Sequence, residues 1–229
     1  FGITKSYCMK NIFTRSLSLL SVLFITNFSY AQAFRKGSLI ISLSEGHTLA
    51  NYQTNDVSSG KEKLVANDVI IGVRVPLIIE YGVSNRWSIG LSSGNDIFSV
   101  NPSKFYGFNT SDNKVKVSTS EFSFECSYHV LVNKKLDLSV FASTGLFSIT
   151  MKGNDNDLFY NHTSYGTIVR YGTRAHYYFF KRLGAVGMIS NYLANSSTKD
   201  VKDNNIAQNY SASINGIAIE AGLCFRLLR

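Results

Sequence analysis

Three groups of residues in this chain are of types that do chemistry. His162 and Ser164 stand two apart. An imidazole within hydrogen-bond reach of a serine hydroxyl can take its proton and make it a nucleophile. The run "GNDNDLFYN" at 153–161 offers Asp155 and Asp157 as hard oxygen ligands, but it lacks the glycine and closing glutamate of a twelve-residue calcium loop. It reads as a polar turn. The largest group is Arg74, Glu80, Glu121, Glu125, Arg170, Arg174, Glu220 and Arg226. Each sits inside a segment of alternating apolar residues, on one parity of that segment. Charges so placed are costly unless they face water or one another. The four histidines are scattered, with no two at metal-ligand spacing; His129 and His176 read as interior hydrogen-bonders. No metal and no cofactor is expected.

The elements that carry these charges read as strands. Of 229 residues, 45% are hydrophobic, 13 are Tyr and 16 are Phe, a bias toward the pleated conformation. No helical period appears. Alternation instead marks eight strands, at about 37–44, 68–82, 87–98, 115–132, 136–151, 164–180, 183–194 and 210–227. Three connections are very short, at 84–86, 133–135 and 181–182. Four are longer and polar, at 45–67, 99–114, 152–163 and 195–209. Short and long connections in alternation are the mark of an all-β, antiparallel, up-and-down barrel. Pro76, inside the second strand, implies a local defect in the ladder.

Which side faces oil follows from composition. In the second strand one face is Val69, Ile71, Val73, Val75, Leu77, Ile79 and Tyr81. The other is Ile70, Gly72, Arg74, Pro76, Ile78, Glu80 and Gly82. The first suits lipid; the second suits the narrow interior of an eight-stranded transmembrane barrel, with just enough room for side chains. The charged residues are then expected to meet across the lumen as buried ion pairs that plug it. Tyr81, Trp87, Phe179 and Phe180 near the tight turns, and Tyr165 and Tyr192 near the long loops, are expected to form two interfacial girdles. Residues 1–31 read as an upstream extension plus a secretory signal. Lys10 and Arg15 precede the apolar run Leu17–Phe28, and small residues at Ser29 and Ala31 offer a cleavage site. Residues 32–229 are expected to be the barrel. Removing 1–31 leaves 20 basic and 15 acidic residues, a net charge of +5 without a clustered stripe, which argues against nucleic acid as a partner. The remaining thiols, Cys126 and Cys224, are expected to be packed and unpaired.

The segment "PLIIEYGVSNRWSIGL" resembles a hairpin of small bacterial outer-membrane β-barrel proteins of the OmpA, OmpX and OmpW type. "YGTRAHYYFFKRLGAVG" and "INGIAIEAGLCFRLLR" resemble the sixth-to-seventh and final strands of the same family. The resemblance spans about 34–229. It implies the outer membrane of a Gram-negative bacterium, lipid and lipopolysaccharide as surroundings, and the barrel assembly machinery as a partner. In the family a terminal aromatic carries the assembly signal, whereas here Phe225 is followed by "RLLR". A monomer is expected.

Four functions compete at this point. The first is a non-catalytic structural or surface-interaction barrel, whose lysines (Lys61, Lys63, Lys104, Lys114, Lys116, Lys152, Lys199 and Lys202) can meet lipopolysaccharide phosphates. The second is a narrow channel, or a path for small apolar molecules along Ile70, Ile78, Val186 and Met188. The third is a lipid A-modifying hydrolase, where the family pattern continues with Asn after His-x-Ser but Tyr165 stands here. The fourth is a soluble periplasmic carrier barrel. The first is the expectation, with no catalytic residues.

Overall fold

The computed structural model describes residues 33–56, 63–99, 115–155, 158–203 and 206–227. The signal-like stretch lies outside them, as do Lys61, Lys104 and Lys114. Eight strands follow in chain order: β1 Leu39–Asp56, β2 Lys63–Gly82, β3 Trp87–Ser99, β4 Val115–Val132, β5 Leu136–Asp155, β6 Leu158–Tyr178, β7 Leu183–Asp203 and β8 Ile206–Leu227. Each pairs antiparallel with the next, and β8 returns to β1 to close the barrel. Closure leaves no edge strand.

The ladder fixes the barrel's shape. Stepping across hydrogen-bonded partners from Leu43 through Leu77, Ser93, Phe122, Leu146, Thr167, Asn195 and Ser213 returns to β1 at Gln53. That offset of ten residues in eight strands corresponds to a tilt of about 40°. The interior is then only wide enough for side chains.

Tight turns at 83–86, 133–135 and 179–182 gather at one end. The Ser84 hydroxyl accepts the backbone N–H groups of Arg86 and Trp87, at 3.1 and 2.9 Å, which sets the first turn. The same end is closed by the chain before β1. Gly37, at φ 79°, makes the bend, and its N–H donates to the Gly82 carbonyl at 2.7 Å. Phe34 thereby enters the barrel and stacks on the His129 ring, centroids 3.4 Å apart.

The strands run further than alternation alone predicts. Residues 45–56, 63–67, 152–155, 158–163, 195–203 and 206–209 are strand rather than loop. Asn51, Gln53, Asn195 and Ser197 point outward in these extensions, as do Lys116, Ser118, Ser148 and Thr150 at the same end of β4 and β5. Above an apolar belt an outward residue meets water, so polarity marks the end of the belt and not the end of the strand. Strands of 20–22 residues, such as β5 to β8, reach roughly 50 Å along the axis at about 3.3 Å per residue and this tilt. The belt itself, Tyr81 to Val69 on β2, covers about 30 Å by the same rise, the thickness of a bilayer's hydrocarbon core. Leu146, Ile219, Val69 and Ile71 are all 60% exposed or more on its surface.

Candidate functional site

The interior of the barrel is a stack of alternating apolar and ionic layers. Its first layer, at the turn end, is Ala33, Phe34, Ile40, Tyr178, Val186 and Cys224. Above it lies an ionic cluster built from five strands. Arg174 of β6 donates to both oxygens of Glu125 of β4, each at 2.8 Å, and to Glu80 of β2 at 3.3 Å. His129 of β4 lies between two acids, with Nδ1 2.7 Å from Asp137 of β5 and Nε2 3.0 Å from Glu80. With a hydrogen on each nitrogen the ring satisfies both carboxylates at once. His176 reaches the other oxygen of Asp137 at 3.3 Å, and the Ser88 hydroxyl bonds Glu80.

A thin apolar layer follows, of Ile78, Phe141 and Met188, with the Arg174 guanidinium 4.7 Å over the Phe141 ring. Then comes the second ionic cluster. Arg74 of β2 reaches three acids: Asp96 of β3 at 2.8 Å, Glu220 of β8 at 3.1 Å, and Glu121 of β4. Arg170 of β6 binds Glu121 at 3.1 Å and Glu220 at 3.4 Å, and the Ser190 hydroxyl at 3.0 Å. Hydroxyls of Thr48 and Thr119 each donate to Asp96 at 3.0 Å. Gly94 makes room for this: a Cβ there would run into the Arg74 guanidinium. The outermost layer is a broad apolar cluster that includes Tyr52, Ile70, Phe98, Val117, Phe147, Ile168, Tyr192 and Ile214.

The alternation of the backbone produces this stack. On β2 alone Ile70, Arg74, Ile78 and Glu80 point inward, so one strand contributes to an apolar layer, an ionic layer, a second apolar layer and a second ionic layer in turn. Each guanidinium is held by carboxylates from different strands, and Arg74 is 1% exposed. Fork-shaped donors facing carboxylates give charge-assisted bonds of the strong kind. Arranged this way opposite charges face one another across the lumen and tie opposite walls together. The hydroxyls of Ser92, Ser123 and Ser143, between the clusters, have no protein partner.

Seven of the eight charged residues singled out by parity lie in these two clusters. Arg226 faces inward too, but at the turn end, where its guanidinium sits 4.4 Å over the Tyr178 ring and donates to the Lys181 carbonyl at 2.7 Å. Two acids, Asp96 and Asp137, were missed in the sequence. Both stand at inward parity in strands already recognised, and that signal alone identifies them. Tyr81, Trp87, Phe179, Phe180 and Tyr165 are exposed on the outer surface. Tyr192 is not a girdle residue. It is 3% exposed, inside the outermost apolar layer, with Arg170 5.0 Å from its ring centroid. Its neighbours Asn191 and Leu193 take the outward positions, so parity overrides its nearness to the loop. Cys224 is packed as expected, but Cys126 is exposed on the outer surface.

The hydrolase constellation is not assembled on the surface. Ser164 points inward, is buried, and its hydroxyl lies 3.0 Å from that of Ser196. Of the "GNDNDLFYN" stretch, residues 153–155 end β5 and 158–161 begin β6, while 156–157 lie outside the described residues. No group of three or more potential metal ligands occurs among the described residues.

No protein-family model matches the chain, and no curated protein sequence matches it. Solved structures do. The outer membrane protein OprG from Pseudomonas aeruginosa is 9% identical, covers 86% of this chain and 99% of its own, and superposes with a TM-score of 0.54. The outer membrane protein AlkL, in a lipid-bilayer structure, is 11% identical over 89% of this chain and 96% of its own, with a TM-score of 0.53. At these identities the likeness is one of fold: the architecture here is that of small eight-stranded outer-membrane barrels.

Proposed function

We propose that this chain is a non-catalytic outer-membrane barrel with a plugged lumen, acting as a structural element or through its outer surface. The observation that carries the reading is the layering: two ion-pair clusters are enclosed between apolar layers, and the charged residues of both clusters are 6% exposed or less. An open aqueous channel of this type needs about twice as many strands. The belt of apolar residues and the exposed aromatics at the turn end support placement in a bilayer, and the fold's relatives support the outer membrane as that bilayer.

Above the belt, Lys116 and Lys152 stand directly opposite one another on β4 and β5, both exposed. Like charges paired across a ladder repel unless an anion lies between them. Lipopolysaccharide phosphate is the anion of that zone, and it is the proposed contact. The narrow-path reading is second. It draws on the apolar outermost layer and on Pro76, beside which the register between β1 and β2 has a gap between Leu43–Leu77 and Gly46–Arg74. The test is efflux from proteoliposomes loaded with a small dye. A plugged barrel releases it no faster than protein-free vesicles, whereas rapid release moves the reading to a channel.

A further inference from the structure

Within the apolar belt, four outward residues of β1 suit lipid and two do not. Leu39, Ile41, Leu43 and Leu49 alternate along its outer face, but between Leu43 and Leu49 stand Glu45 and His47, both exposed. Glu45 lies about 15 Å above Leu39 at the strand's rise and tilt, the middle of the 30 Å belt. Neither side chain makes a hydrogen bond or ion pair among the described residues. Their lateral neighbours are apolar: Ala221 beside Glu45, Ile219 and Val73 on either side of His47. Ionisable groups facing lipid at mid-depth are expensive and call for a partner.

We infer that the β1–β8 face is a dimer interface in the membrane, at which Glu45 of each copy bonds His47 of the other. The strand's own sequence is self-complementary, an acid and a base two residues apart. Two copies inserted in the same direction are related by an axis along the bilayer normal, so equal depths meet. Glu45 and His47 differ in depth by only about 5 Å, within the reach of the two side chains, and symmetry makes the pair twice. One row of the surface leading away from Glu45 is low. Ala175, Gly187 and Ala221 lie in register across β6, β7 and β8 up to Glu45, and nothing stands within 4 Å of a Cβ built on Gly187. Small residues let two backbones approach where lipid gives no hydrophobic drive. This replaces the monomer expected from the sequence and rests on the membrane-barrel reading.

The experiment is sedimentation equilibrium of the full chain in density-matched detergent micelles, over a series of protein-to-detergent ratios. Variants are Glu45→Ala, His47→Ala and the exchange Glu45→His with His47→Glu. The two positions hold nothing inside the barrel, so the variants keep the heat-modifiable gel shift of a folded barrel. The wild type is expected to show a monomer–dimer equilibrium. Each single variant should weaken it about tenfold, two symmetric pairs at about threefold each. The exchange should restore it to within about threefold of wild type, since it re-forms the same pairs. Wild type that stays monomeric at every ratio, or single variants with unchanged association, would overturn the interface. So would a monomer that photo-crosslinks from position 47 to a different protein in native membranes. A chain that stays folded and dissolved after the detergent is removed would overturn the membrane reading as well.

Discussion

Replacing Arg74 by Gln should be among the most damaging changes in the barrel, and replacing Glu220 by Gln among the mildest in the same cluster. The second cluster holds two guanidiniums, Arg74 and Arg170, and three carboxylates, Asp96, Glu121 and Glu220. Arg74→Gln leaves three acids facing one base, all buried. Stranding a buried charge costs about 3–5 kcal/mol. Glu220→Gln leaves two acids facing two bases, and the amide oxygen still accepts from Arg74; the cost should stay near 1 kcal/mol, the size of one exchanged hydrogen bond. Carried together, the two changes should be less than additive by about 1–3 kcal/mol, since the second relieves the charge the first uncovers. The assay is equilibrium unfolding in urea from lipid vesicles, followed by the fluorescence of Trp87. That residue is the chain's single tryptophan and sits 49% exposed at the turn-end girdle, so it reports transfer out of the interface. Equal losses for the two single variants, or a larger loss for Glu220→Gln, would refute the charge reasoning.

Four further outcomes follow from the same geometry. Gly94→Val should cost more than about 2 kcal/mol in that assay, because its side chain meets a guanidinium pinned by three carboxylates; Gly187→Ala, which meets open space, should stay within about 0.5 kcal/mol. Tyr192→Ala should lose about 3–5 kcal/mol as a buried aromatic, while Tyr165→Ala, 71% exposed at the outer rim of the belt, should lose far less, and comparable losses would return Tyr192 to the girdle. Lys116→Gln with Lys152→Gln should reduce co-purifying lipopolysaccharide and weaken its dependence on salt, measured by phosphate content after washing at two ionic strengths. Lipid A extracted from cells with and without the protein should give the same mass spectrum, and a mass difference that Ser164→Ala abolishes would make the chain an enzyme.

The barrel was legible in the sequence because two independent signals agreed. Outward Val, Ile and Leu at every second residue gave the strands, and turns such as Ser84-Asn85-Arg86 gave the hairpins. Strand ends were not legible. Past Leu49 on β1 or Leu146 on β5 both faces stop looking like a membrane strand, because outward Asn, Ser, Thr and Lys meet water while inward Tyr52 and Ile149 remain apolar. The charged interior was legible from parity for Arg74, Glu80 or Arg174. How the charges sort into two clusters was not, since that depends on the ten-residue offset around the ladder, which brings Glu220 of β8 beside Arg74 of β2. Tyr192 shows the same lesson in reverse: a residue type common at interfaces is assigned by parity, and parity puts it inside.

The most direct measurement is single-channel current across a planar lipid bilayer containing the purified protein, with Arg74→Ala recorded alongside. With the lumen sealed by two ionic clusters and their apolar layers, wild type should give no steady current, and the variant should give at most brief, irregular openings. Discrete, stable openings in the wild type would contradict a plugged barrel and make the interior charges the walls of a pore.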